Sequence, residues 1–346
     1  MKTKKQVLIG LAGAIAMLIM LLDTRTAVTG AAEGIKLCIY TVVPALFPFI
    51  VTSTIANALL IGTKIPVLTG LGKLCKMPIG TESLVILGLL GGYPVGAACI
   101  GQAYNSGQLH QKDAKRLLGF CSNAGPGFIF GMTSALFTSP LIPWIIWGIQ
   151  IISSILTGIL LREEPESEAK VQSLESIGIT KALNHGLRVT AVICGWVIMF
   201  RIVISFSKRW FLWLFPTEIG VLYCGMLELT NGCVLLKEIS QEGLRLILCS
   251  AFLSFGGVCV LLQTISVSYG LGCNTYINGK ILQSIITFLL SYIIQFALLP
   301  QTECATITPV PILLSVTTVV ILSRRITIKK SMEIMHHMMY NKEKIQ

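Results

Sequence analysis

The stretch Leu87-Gly-Leu-Leu-Gly-Gly-Tyr-Pro-Val-Gly-Ala97 decides how this chain is read. Apolar residues lead into it and out of it, as in a helix buried in a membrane. Gly91, Gly92, Tyr93 and Pro94 are nevertheless poor material for continuing such a helix. Proline lacks the amide N–H, clashes with the preceding turn and drives the residue before it out of the helical region. Further on, Asn123-Ala-Gly-Pro-Gly127 repeats the same chemistry. Irregular backbone at membrane depth persists only where it is buried in protein or lines a polar cavity. Two such breaks in one apolar region therefore predict a binding or permeation site.

Composition sets the class. Of 346 residues, 53% are hydrophobic and 12% charged, with mean hydropathy +0.77. Soluble domains carry about 25% charged residues, so the expectation is an all-α polytopic membrane protein. The net charge of +11 lies mostly at the ends and in short loops, where cytoplasmic Lys and Arg gather, and implies the lipid bilayer rather than nucleic acid as partner. The cysteines are scattered singly and read as small apolar helix residues. The four histidines are expected in loops or the tail. With no nucleophile–base pair and no metal-ligand set in view, neither an enzyme nor a cofactor is expected.

Residues 1–30 read as an N-terminal transmembrane helix. Lys2, Lys4 and Lys5 precede apolar Val7–Leu22 as in a signal peptide, but no small-residue cleavage site follows. Residues 31–161 form a first repeat, 162–183 a charged cytoplasmic linker, 184–300 a second repeat, and 301–346 a last helix with a basic cytoplasmic tail. Pro44 and Pro48 should kink or unwind the segment Ala31–Leu60. Ser83–Leu90 and Val95–Tyr104 are each too short to span, since a crossing needs about twenty residues. The basic loop His110–Arg116 resembles the basic stretch before residue 83. Both flanks thus sit on one face, which favours a re-entrant hairpin tipped by Gly91–Pro94 over a broken crossing.

The two halves match weakly but in order. Gly34-Ile-Lys-Leu sets against Gly186-Leu-Arg-Val, the Gly88–Ala97 stretch against Gly225-Met-Leu-Glu-Leu-Thr-Asn-Gly-Cys233, and Phe120–Phe128 against Phe252–Cys259. One crossing, a hairpin and two crossings make an odd number of traversals, so the second copy is inverted. The expected fold is about eight transmembrane helices plus two re-entrant hairpins, with both ends cytoplasmic. Lys208 and Arg209 fall outside in this scheme, against the charge rule. Inverted repeats with discontinuous segments at the midplane mark secondary transporters.

A half-helix that starts inside the membrane offers unpaired N–H groups and a positive dipole end. Pro94 and Pro126 suit first-turn positions, so Val95, Gly96 and Ala97, and Gly127 with its neighbours, are candidate backbone donors to an anion or a carbonyl. Gly92, Gly96, Gly125 and Gly127 would admit a ligand close to the backbone, although for Gly96 and Gly101 close helix packing is an equal reading. Glu228, Thr230, Asn231 and Gly232 form the matching tip in the second half. Thr230 or Asn231 would cap the returning helix, and an acid at that depth is costly and usually functional. Arg201 is its best candidate partner, or faces an anionic substrate. Asn123, Gln102 and Gln263 are further polar candidates. The candidate substrate site thus gathers Gly92, Tyr93, Pro94, Val95, Gly96, Ala97, Asn123, Gly125, Pro126, Gly127, Arg201, Glu228, Thr230, Asn231, Gly232 and Gln263.

Pro44-Ala-Leu-Phe-Pro-Phe49, Gly92-Tyr-Pro-Val-Gly-Ala97, Asn123-Ala-Gly-Pro-Gly-Phe-Ile-Phe-Gly131, Leu227-Glu-Leu-Thr-Asn-Gly232 and Phe255-Gly-Gly-Val-Cys-Val-Leu-Leu-Gln263 together resemble the sporulation integral membrane protein YlbJ family, which carries the nucleoside-recognition gate type of domain. The resemblance runs from about Gly34 to Gln263. It implies a small-molecule partner: dipicolinic acid exported from the mother cell toward the forespore. The family pattern has a lysine soon after Gly96-Ala97, where this chain has Ala98-Cys99. A nucleoside or nucleobase carrier, and a non-transporting sporulation scaffold, are the alternative expectations.

Overall fold

The computed structural model describes residues 4–166, 168–169 and 178–299. The expected last span and basic tail lie outside the described residues. Among those described there is no strand, and the long apolar helices make the protein membrane-embedded. Four helical stretches, Ile142–Leu160, Ile179–Trp210, Glu242–Val267 and Asn274–Leu298, are long and apolar enough to cross a bilayer, or five if Gly10–Leu22 and Thr24–Val42, bent by 101°, form one span. The remaining apolar sequence is folded into shorter helices.

The chain opens with α1 (Lys4–Leu22) and α2 (Thr24–Leu37). Asp23 makes the corner between them: its side chain caps α2 by accepting from Thr26 N, and it pairs with Arg209 at 2.7 Å. That pair answers one of the two cations, Lys208 and Arg209, that read as misplaced. Helical backbone continues through a π-turn, Cys38–Val42, into α3 (Val43–Leu60). The segment around Pro44 thus absorbs its proline as a π-turn rather than by unwinding. The first span ends earlier than residue 30, and α2 carries the next helix back to Thr24.

The short α4 (Thr69–Leu74) leads to α5 (Glu82–Gly91), α6 (Val95–Asn105), α7 (Gln111–Leu118), α8 (Pro126–Thr133) and α9 (Ile142–Leu160). Past the linker come α10 (Ile179–Trp210), α11 (Thr217–Leu227), α12 (Leu229–Leu235), α13 (Glu242–Phe255), α14 (Gly257–Val267) and α15 (Asn274–Leu298). Apart from α1 and the short α4, the helices before and after the linker follow one order: a long helix, two short helices, two more separated by a break, and a long helix. Three boundaries differ from expectation. α10 begins at Ile179, so His185 is helical rather than in a loop. The crossing expected over 244–269 is divided at Gly256. α15 begins seven residues before Ile281 and takes in Lys280.

Glycine sets the packing. Gly30 and Gly34 lie on the backbone of Ile202 and Ile198, while Gly186 lies against Phe47 and Val51. Numbers rise on one partner as they fall on the other, so the α2–α3 helix and α10 run antiparallel. At the first tip, α5 and α6 fold back on each other: Gly96 meets the Cα of Gly88, and both sit on the carbonyl of Cys121. At the second tip, Gly232 meets the Cα of Gly225, and Phe252 covers both. The glycine pairs Gly88/Gly96 and Gly225/Gly232 fill equivalent roles in the two halves. Gly101 likewise packs, on the carbonyl of Val267.

The acidic start of the linker is tied to the basic loops. Lys76 pairs with Glu164, Lys112 with Glu163 at 3.4 Å, and His110 with Glu166 at 2.6 Å. Asp113 accepts from Glu166 N at 3.0 Å and holds Arg116, whose guanidinium donates to Cys75 O and Lys76 O. The linker and the loops at Lys76 and His110 thus share one face.

Replacing Gly88 by Ala would put a Cβ 1.7 Å from Cys121 O. Thermal unfolding in detergent should show a loss of about 3 kcal/mol, the upper end of overpacking. Gly127→Ala meets nothing within 4 Å and should stay within about 0.5 kcal/mol of the parent. The hydrogen bond and charge of Lys76 hold the Glu164 carboxyl below its ordinary range. The folded state therefore favours the carboxylate, and the tie is at full strength above the ordinary carboxylate pKa. Protection of the amides around residues 162–166, measured against their intrinsic exchange rates, should fall as pH drops through the depressed value.

Candidate functional site

Four half-helices restart inside the apolar body: α6, α8, α12 and α14. The breaks before the first three converge on one cavity of about 60 Å³, measured as room for water centres. A single water needs about 10–15 Å³ on that measure, so the cavity holds several. Gly91, Gly92 and Tyr93 supply one wall, Ala124, Gly125, Gly127 and Phe128 a second, and Glu228, Leu229 and Thr230 a third. Val260 and Gln263 of α14 complete it with Thr41 and Val42 of the π-turn and Ile193 and Val197 of α10.

Glu228 is 2% exposed and is itself the N-cap of α12. Its two oxygens accept from Thr230 N at 2.9 Å, Asn231 N at 2.8 Å and Asn231 Nδ2 at 2.6 Å. The expectation that Thr230 or Asn231 does the capping is corrected: at this tip the longer acid reaches round and satisfies the orphan donors. Arg201 is not its direct partner either. The guanidinium pairs with Glu33, at 2.9 Å through Nε and 2.6 Å through Nη2, and meets Glu228 only by way of the Asn231 side-chain oxygen. Glu33, three residues on from Gly30 and so on the side of α2 that packs against α10, outcompetes Glu228 for the guanidinium.

The α8 terminus differs. Its N-cap is Gly125, which has no side chain to offer, and Pro126 stands in the first turn. Gly125 and Gly127 both line the cavity, Gly125 from a position packed against Gly92 and Leu90 O and Gly127 with nothing within 4 Å of where a Cβ would stand. The other two restarts are covered. Gly257 of α14 sits on the carbonyls of Gly225, Met226 and Leu227. At α6, Val95 N is taken by Gly92 O at 2.8 Å, and Gly96 is pressed onto Gly88 and Cys121. Pro94, Val95, Gly96 and Ala97 therefore belong to hairpin packing and not to the cavity lining. Of the expected residues, Gly92, Tyr93, Gly125, Gly127, Glu228, Thr230 and Gln263 line the cavity, whereas Pro126, Asn231, Gly232 and Arg201 stand behind it.

Asn123 turns away as well, into a polar seam between α9, α13 and α15. It donates to Phe120 O at 2.8 Å and Ser154 Oγ at 3.2 Å, and accepts from Gln283 Nε2 at 2.7 Å and Lys280 Nζ at 3.2 Å. Lys280 also donates to Ser122 O, and to Gln283 Oε1 at 2.6 Å. Its Nζ stands 5.2 Å from the centre of the Tyr93 ring and 5.9 Å from that of Tyr276. The seam runs on through Ser254, whose hydroxyl donates to Gln150 Oε1 at 3.1 Å and lies 2.6 Å from the Thr287 hydroxyl, from which it can accept. Tyr93 closes it by donating to Ser254 O at 2.7 Å, a carbonyl left over at the end of α13. Lys280, Gln283 and Gln150 are all at most 1% exposed.

Lys280 and its seam were not expected from the sequence. The signal was there: Lys280, Gln283, Thr287, Ser291 and Gln295 recur every three or four residues in an otherwise apolar helix, marking one polar face.

Glu228→Ala should lower unfolding stability by about 2 kcal/mol, the size of a strong cap, with more from the buried donors left bare. Glu228→Gln, which keeps an acceptor oxygen, should recover part of that loss in the same melting experiment.

Comparisons with protein-family models, with curated proteins and with solved structures found no match.

Proposed function

We propose that the chain is a membrane transporter of a small organic anion, built from two inverted repeats around the cavity. On this reading the shorter helices complete about eight spans and two re-entrant hairpins, and both ends lie in the cytoplasm. The observation that carries it is the uncapped N-terminus of α8. No side chain caps α8, and its Gly125 and Gly127 line the cavity, so an acceptor on a bound solute would complete its first turn. A carboxylate is the natural complement of such a terminus. Glu228 at α12 illustrates the same chemistry with a carboxylate that belongs to the chain. Irregular backbone gathered about a cavity inside an apolar scaffold is also the arrangement by which carriers bind solutes.

The motif resemblance narrows the anion to dipicolinate, a planar dicarboxylate, moved from mother cell to forespore. A nucleoside carrier is the second reading, favoured by the uncharged aromatic side chains Tyr93, Phe49 and Phe128 on the lining, which would stack on a base. Purified protein in liposomes should take up labelled dipicolinate in preference to labelled uridine. Uptake of uridine alone would favour the second reading. Uptake of neither, together with normal dipicolinate content in spores lacking the gene, would leave a scaffold role.

A further inference from the structure

The most unusual group in the molecule is Lys280. A fully buried ammonium ordinarily has a carboxylate beside it, because leaving water is costly for a charge. Among the described residues no carboxylate pairs with Lys280. Instead its Nζ has three oxygen acceptors, from Ser122, Asn123 and Gln283. An ammonium has three N–H groups and a neutral amine two, so this cradle fits the charged form. The oxygens are dipoles and not charges, so the positive charge is solvated but not neutralised.

Its position gives that charge a use. Ser122 and Asn123 belong to the segment that leads directly into Gly125 and the uncapped N-terminus of α8. Tyr93 presents its ring to Lys280 on one side and lines the cavity on the other. Glu228, on the far wall, has both oxygens engaged by the start of α12 and by Asn231.

We propose that Lys280 is the counter-charge of the bound solute: an ammonium fixed behind the lining that selects a carboxylate over a neutral ligand of the same shape. The inference rests on the carrier reading above, and it assigns the selectivity to one residue of α15. The charge acts together with the α8 dipole, whose positive end faces the same space. It replaces no hydrogen bond in the cradle, and Lys280 remains a positioning charge rather than a direct ligand.

Binding of dipicolinate and of dipicolinamide, which has the same outline without charge, is measured by calorimetry on the full chain in detergent. Dipicolinate should bind the parent at least about tenfold more tightly, the effect of one nearby charge at an effective dielectric near 20. Lys280→Met should close that gap while leaving the dipicolinamide affinity in place. Gln283→Glu keeps the lysine and gives it an internal carboxylate at an existing contact, and should close the gap in the same way. That second variant also decides the matter if Lys280→Met fails to fold. Equal affinities of the parent for the two ligands, or a gap that survives in Gln283→Glu, would overturn the inference and leave the carrier reading standing. A parent that binds neither ligand would remove the anion-carrier reading itself, and this inference with it.

Discussion

A backbone that leaves the helix inside a membrane must find a partner for every N–H and C=O it frees, because lipid offers none. The rest of this structure depends on how that demand is met. The carbonyl freed at Phe120 receives Asn123 Nδ2 and Ser154 Oγ, and the one at Ser122 receives Lys280. The carbonyl at Ser254 receives the Tyr93 hydroxyl. Freed amides at Thr230 and Asn231 receive Glu228. Asn123 and Glu228 serve their own breaks, whereas Ser154, Lys280 and Tyr93 come from a flanking long helix or a neighbouring break. The breaks are therefore mutually dependent, and the polar residues that look exceptional in an apolar chain are mostly the ones doing this work.

Close backbone approach is the second condition. A side chain can reach a freed carbonyl only if the elements are near enough, and the glycines at 88, 96, 225 and 232 let the hairpins close on themselves and on the neighbouring break. The same residues thus produce the irregularity and tolerate it. A larger residue at Gly88 would displace the Cys121 carbonyl and with it the segment that carries Asn123.

The breaks were legible in the sequence because Gly and Pro act locally: Gly92-Tyr-Pro and Gly125-Pro-Gly state where a helix stops without reference to anything distant. What sequence reading missed depended on distance in space. Whether a half-helix terminus opens on a cavity or is pressed against a neighbour is decided by packing, so Val95–Ala97 and the α8 terminus looked alike and are not. Arg201 found Glu33, far away in the chain, in place of the acid that seemed best placed. Lys280 was passed over because a hydropathy reading ends a segment at a lysine, and α15 begins before it.

The two halves run through the same order of elements, yet their exposed ends differ in what they offer. One tip holds its own carboxylate, fully engaged, and the other half has an uncapped helix start with an ammonium close behind. Reading the scaffold from either side gives much the same outline, but the potential inside it runs one way. On the carrier reading proposed above, a solute with one charged end would settle in a single orientation, and the cavity would have a head and a foot that its architecture does not show.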